Sequence, residues 1–321
     1  MSMVNTPARI AVPVGDPNGI GPEIALRTAV HYADRADVQL TVFGPSAALA
    51  RAAQGLGWHD LPAGLRVVET PLTAPCTPGV VSAEAGHAMI AAATDAIEAT
   101  RRGEFDAVVA GPHHERAVHL AGIAFSGYPS LLARVCGQSP DEVFMMLIGG
   151  DLRIVHVTLH ESVQTALHRL SPELVTQATL AGARAMRRMG LAQPRIGLFG
   201  INPHASEDGL FGDEDRRITA PAAAQLRAQG LQVDGPTGAD LLLAERRHDL
   251  YVAIFHDQGH IPVKLLHPRS ASALSIGADV ILSSVGHGCA MDIAGQGLAD
   301  PRAMIEAVAR LASVPSHLTS P

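Results

Sequence analysis

The chain has 321 residues, 47% of them hydrophobic and only 3% aromatic, with a formal net charge of −7. That length exceeds a usual single core and implies two domains or one large α/β domain. The acidic balance without a basic run argues against nucleic acid, the absence of about 20 consecutive uncharged apolar residues argues against a membrane span, and the few aromatics argue against a stacking platform for bases or sugars.

The start, MSMVNTPARIAVPVGD, lacks a basic segment followed by an apolar one, so no secretory signal is read. Arg9–Val14 reads as a first buried strand, broken by GDPNGIGPEI, where Pro22 would open a helix. Its glycines do not fit GxGxxG, which leaves a strand-to-helix turn or a ligand loop. A strand at 38–44, a helix at 46–54 and a strand at 65–69 follow. TPLTAPCTPGVVS reads as a surface loop, 83–102 as a long Ala-rich helix, and 105–110 as a strand ending in GPHHE. Residues 144–149 and 152–158 look like a hairpin turning at GGD, and Ser171-Pro172-Glu173 caps a helix reaching Met189. A strand at 195–200, a polar loop at 202–215 and a helix near 219–229 lead to the apolar run Tyr251–Phe255. Short strands at 273–276 and 280–283, a glycine-rich stretch at 286–297 and a helix at 301–311 close the chain. Strand and helix alternate throughout, which predicts an α/β fold with a largely parallel sheet. Three cysteines (Cys76, Cys136, Cys289) without CxxC spacing fit a reducing cytoplasm.

Three strand-like runs end in histidine: LRIVHVTLH at His160, RIGLFGINPH at His204 and YVAIFHDQGH at His256. Strand carboxyl ends are where open α/β sheets bind ligands, so the three imidazoles suggest one metal site with open positions for substrate. Three separately hydrogen-bonded histidines would give the same pattern. Asp257 can orient a ligand or act as a base, or it can simply cap a helix. Lys264, on that same helix, can stabilise an oxyanion or shuttle a proton, or it can be solvated. His113 and His114, with Glu115, follow a strand end and read either as cleft residues or as a helix-capping cluster. In SVGHGCAMDIAGQGLAD, small residues would let backbone approach a planar ligand, and Asp292 could accept from ribose hydroxyls.

The stretches GDPNGIGPEIAL, GPHHE, AGIAFSGYPSLL, INPHASEDG, HDQGHIPVK and SSVGHGCAMDIAGQGLAD together resemble the 4-hydroxythreonine-4-phosphate dehydrogenase family along nearly the whole chain. The resemblance implies an isocitrate/isopropylmalate dehydrogenase-like fold of two α/β/α domains with a cleft between them. It implies a first, nucleotide-side domain at 1–125 plus 289–321 and a second at 126–288. It implies a homodimer whose site uses both subunits, a divalent metal (Zn first, then Mn, Co or Mg) on His160, His204 and His256, and NAD. HGCAMDIAG looks like the nucleotide loop of isopropylmalate dehydrogenases, which puts His287, Gly288, Ala290, Asp292 and Gly295 beside the adenosine.

The departures bear on substrate. Tyr128-Pro129 stands where the pyridoxine-pathway members have His-Thr, Ala273 and Leu282 replace an Asn and an Arg near the substrate phosphate, and Glu115 replaces a lysine. Donors that a phosphate dianion needs are thereby depleted. PHHE, VHVTLHESV, FGINPHASE and HDQGHIP look most like the branch of the family that oxidises a cis-dihydrodiol dicarboxylate with NAD and releases CO2. On that reading Lys264 and Asp257 are catalytic, and Tyr128, Ser130, His113 and His114 hold the ring and its second carboxylate. A 4-phospho-hydroxy-acid dehydrogenase and a non-catalytic metal- or nucleotide-binding regulator are the competing expectations.

Overall fold

A computed structural model describes residues 7–268 and 271–312. The first six residues of the stretch read for a secretory signal lie outside the described residues, as do the outer ends of the expected first domain, 1–6 and 313–321. The chain divides into two compact units, one built from residues 7–137 and 279–312 and the other from Gln138–Ala278.

In the first unit, β1 (Ala8–Pro13), β2 (Val38–Gly44), β3 (Arg66–Glu69), β4 (Ala107–Ala110) and β11 (Leu282–Val285) form a parallel sheet in the order β3-β2-β1-β4-β11. The strands are apolar on both faces because helices cover them, as parallel sheets require. Ile10, Val12, Val42, Val108 and Leu282 are all buried. The principal cover is α3 (Ala83–Arg101), whose Ser82 cap accepts from the Ala85 N–H at 3.2 Å and whose alanines let it lie close on β1, β2 and β4. Between them α1 (Gly21–Tyr32) and α2 (Ser46–Gly55) follow β1 and β2, and α4 (Glu115–Leu120) and α5 (Tyr128–Cys136) follow β4. The expected domain crossings at 125/126 and 288/289 fall inside this unit. The reason is local: α5 packs on α3, and the Tyr128 hydroxyl donates to the Gly111 carbonyl at 2.8 Å.

In the second unit, β5 (Phe144–Gly149) and β6 (Leu152–His156) are the expected antiparallel hairpin, and β10 (Ser272–Ile276) runs antiparallel to β5. Beyond it β6, β9 (Leu250–Ala253), β7 (Arg195–Phe199) and β8 (Gln232–Thr237) are parallel neighbours in that order. A cluster of Leu147, Leu152, Ile154, Phe199, Tyr251, Ala253 and Val263 forms a core on the sheet. Around it run α6 (Val163–Arg169), α7 (Pro172–Arg188), α8 (Ala220–Ala228), α9 (Ala239–Glu245) and α10 (His256–Leu266). As expected, α7 starts at Ser171, whose hydroxyl accepts from the Leu174 N–H, with Pro172 at the first position. The last helix, α11 (Arg302–Ala312), returns to the first unit and packs on β11, β1 and β4. No helix among the described residues is long and apolar enough to cross a membrane.

Candidate active site

Three adjacent parallel strands of the second unit, β6, β9 and β7, hand the chain on to His160, His256 and His204 at one sheet edge. Because β9 lies between the other two, His256 is the central imidazole of the row. Past β6 the backbone stays zipped to the continuation of β9, through Val157 N–H to Ala253 O (2.9 Å) and Thr158 N–H to Ile254 O (3.1 Å). That zipping brings the rings of His160 and His256 to 5.5 Å between centroids. Two imidazoles bound to one tetrahedral cation have ring centres roughly 5 Å apart, so this pair fits a shared metal. His204 instead lies 6.1 Å from the ring of Phe211. Among the described residues, no three His, Cys, Asp or Glu side chains are grouped closely enough to hold a cation by themselves.

Two further histidines complete a cluster that the sequence reading passed over. Strand β6 ends at His156, not His160, and His156 is fully buried. Its Nδ1 faces the Met145 carbonyl at 3.4 Å, which can only accept, and its Nε2 lies 3.1 Å from Nδ1 of His260. Burial pushes His156 down to about 3, with the neighbouring His260 adding to it. His156 is therefore neutral, its Nδ1 carries the proton, and its Nε2 accepts from Nδ1–H of His260. Burial, followed by the field of His256, also pushes His260 down to about 4. The His260 ring stacks on His256 at 3.6 Å and 11°. The signal for His260 was present in the sequence: 256 and 260 are spaced by four, one helical turn in α10.

Nδ1 of His256 donates to Asp257 Oδ1 at 2.8 Å, leaving Nε2 with a free lone pair, as a carboxylate-oriented metal ligand requires. Lys264 continues the row His256–His260–Lys264 along α10 and is exposed in its last turn. His204 opens a turn unlike anything its residue types foretell. From His204 to Asp208 five consecutive non-glycine residues have φ between 40° and 71°. Left-handed backbone costs roughly 1–2 kcal/mol per L-residue, so surrounding bonds must hold this turn.

The first unit carries a second polar edge. Its strand order reverses direction between β1 and β4, the switch point at which such sheets take ligands. There GDPNGIGPE crosses to β4: Asp16 N–H donates to the Pro112 carbonyl at 2.9 Å, and a Cβ on Gly15 would sit 2.2 Å from that oxygen. Asp16 Oδ2, Asn18 Oδ1, Thr70 Oγ, Arg51 Nε and Nη2, and His114 Nδ1 are buried and find no hydrogen-bond partner among the described residues. Burial raises the Asp16 carboxyl, against the Asn18 N–H and His114. Donors and acceptors left open in this number suit a ligand bearing hydroxyls and phosphates, such as a dinucleotide. The glycine-rich loop belongs to the same unit. Its Cys289 carbonyl accepts from the Ile20 N–H at 3.0 Å, Ala290 and Gly295 have positive φ, and His287, Gly288 and Asp292 are exposed.

The remaining expected substrate residues are also in this unit. Tyr128 is buried, its hydroxyl is spent on Gly111, and burial raises its phenol. Ser130 donates to the Gly127 carbonyl at 2.8 Å and accepts from the Ser126 N–H at 3.0 Å, a local turn. His113 packs edge-on to Tyr128 and Phe125, each 5.1 Å away, and His114 is half-buried at the start of α4.

Comparison with known proteins agrees with this architecture. The chain is 55% identical over 96% of its length, and 98% of the relative's, to a 1,2-dihydroxy-3,5-cyclohexadiene-1,4-dicarboxylate dehydrogenase from Comamonas. A crystal structure of a terephthalate 1,2-cis-dihydrodiol dehydrogenase from Burkholderia xenovorans is similar at 44% identity and TM-score 0.71, covering 95% of this chain and 98% of that one. A 4-hydroxythreonine-4-phosphate dehydrogenase from Klebsiella pneumoniae is similar at 34% identity and TM-score 0.83, covering 98% and 100%. The model of the family described as pyridoxal phosphate biosynthetic protein PdxA matches residues 18–311, and the chain belongs to that family of dehydrogenases.

Proposed function

We propose that the protein is a metal-dependent, NAD-linked dehydrogenase that oxidises and decarboxylates 1,2-dihydroxy-3,5-cyclohexadiene-1,4-dicarboxylate to protocatechuate. The observation that carries this reading is the 55% identity across nearly the whole chain to a dehydrogenase of that name. The depleted phosphate donors and the histidine-rich sheet edge support it. An isopropylmalate dehydrogenase-like fold type and a homodimer form part of the same reading.

The balance is simple. The C2 hydroxyl gives up its proton and C2 its hydride; the resulting β-keto acid loses CO2, and a proton returns to the enolate oxygen of the new aromatic ring. A divalent cation on His160, His256 and His204 would polarise the C2 hydroxyl and C1 carboxylate, while NAD would accept the hydride. Imidazole donors suit Zn, Mn or Co, with Mg a harder alternative. Asp257 accepts from Nδ1–H of His256 and so favours the tautomer whose Nε2 lone pair can ligate. The Lys264 ammonium counters the negative charge that develops as CO2 leaves and can return the proton. His113 and His114 suit the distal carboxylate, whereas Tyr128 and Ser130, with their hydroxyls already bonded, contribute shape. Asp16, Asn18, Arg51 and Thr70, with the loop of His287, Gly288, Ala290, Asp292 and Gly295, would hold the dinucleotide.

Incubation of the purified protein with NAD and the dihydrodiol should yield NADH and protocatechuate in equal amounts, and a chelator should abolish both until metal is restored. No NADH with the diol, together with turnover of a 4-phospho-hydroxy acid, would move the protein to the phosphate-handling branch of its family.

A further inference from the structure

The carboxylate of Asp215 stands apart from the chemistry described so far. It is 2% exposed, yet among the described residues no cation pairs with it. Oδ1 accepts from the Ile201 N–H (2.7 Å) and the Thr219 hydroxyl (2.7 Å), and Oδ2 accepts from the Asn202 N–H (3.0 Å) and the Ser206 hydroxyl (2.9 Å). Three of these four donors belong to the segment 201–206, on either side of His204. The left-handed turn that begins at His204 is thus gripped before and after its first residue by one buried anion. Asn202 reinforces the grip, donating to Ser206 Oγ (3.1 Å) and Glu214 Oε2 (2.6 Å). A single π turn, Asp215–Thr219, sets the carboxylate beneath the loop, and such turns recur at functional sites. The loop is also tied toward His256: the Gln258 amide donates to the Gly200 carbonyl at 2.9 Å, while its oxygen accepts from the N–H groups of Ile254 and Phe255.

We propose that Asp215 is a positioning residue, whose four accepted hydrogen bonds hold the 201–206 segment in its left-handed path and so fix the imidazole of His204 for its task at the sheet edge. A carboxylate is required because all four partners donate and a carboxylate only accepts; an amide would turn an N–H group toward at least one of them. The inference rests on the reading that His204 is a metal ligand, and the test separates the two.

The test uses the full-length protein, with Co2+ as the probe metal. Its binding constant and visible absorption spectrum are measured for the parent, Asp215→Asn, Ser206→Ala and His204→Ala, alongside amide hydrogen exchange of residues 201–208 without metal. Asp215→Asn is expected to speed exchange in that segment at least tenfold and to weaken Co2+ tenfold to a hundredfold, the range of other groups that orient metal ligands. Its spectrum should move toward that of His204→Ala, a change that mere loss of stability would not produce. Ser206→Ala, which removes one donor and should fold, is expected to show the same changes at a few-fold and decides the matter if Asp215→Asn does not fold. Parental exchange and affinity in the variants overturn the positioning role while leaving the metal reading intact. Parental Co2+ affinity in His204→Ala overturns the ligand reading, and with it the purpose assigned to Asp215.

Discussion

At the scale of the residue, His156 is the most constrained titratable group of the candidate site. Burial holds its folded-state value at about 3, below the 6.5 of an exposed imidazole. As pH falls below 6.5 the unfolded chain takes up a proton that the folded protein refuses, so His156 withdraws stability on acidification. In metal-free protein, the stability difference between the parent and a His156→Gln variant should shift by up to about 1.4 kcal/mol per pH unit below that point, against the parent. Urea denaturation at neutral and mildly acidic pH measures it, and a pH-independent difference would mean that the ring is not buried neutral. The sequence pointed to His160 and His256 because they end apolar runs, and the structure brings those two together. It did not point to His156 because an imidazole inside an apolar run looks like part of the strand. Whether such a ring faces a helix or a second histidine depends on what packs against the strand.

Among the elements, α10 carries His256, His260 and Lys264, and one residue permits its close approach to β6. Gly259 sits where an added Cβ would lie 2.3 Å from His156 Nε2 and 2.9 Å from Ile154 Cγ2. By helix propensity alone Gly259→Ala would gain about 1 kcal/mol. Here the fully buried neighbours cannot retreat, and the substitution should instead destabilise by roughly 1–3 kcal/mol and displace the His156–His260 bond. Thermal unfolding tests this directly; a raised midpoint would show that α10 does not press on β6. Strand and helix order was largely legible, since buried parallel strands are short apolar runs with cap and turn residues between them. Strand β8 was missed because Gly235-Pro236 interrupts it, a dipeptide tolerated because, among the described residues, β8 is an edge strand paired with β7. The left-handed turn at His204–Asp208 was illegible for the opposite reason: none of its five residues is glycine, and its shape is imposed by the buried carboxylate beneath it.

For the molecule as a whole, the two units differ in how the chain builds them. The second unit, Gln138–Ala278, is one unbroken stretch, whereas the first needs β11 and α11 from beyond residue 278. A chain ending at Ala278 should therefore retain a cooperative transition for the second unit and lose the one for the first, as followed by circular dichroism during urea unfolding. Two transitions unchanged from the parent would mean that β4 does not depend on β11. The same interleaving bears on synthesis, where domains usually fold from the amino end as they emerge. Here the portion made later can close while the earlier one still waits, its β4 edge open to stray strand pairing until β11 has left the ribosome. The unit begun first is thus completed last, because β4 gains its partner strand only once β11 has been made.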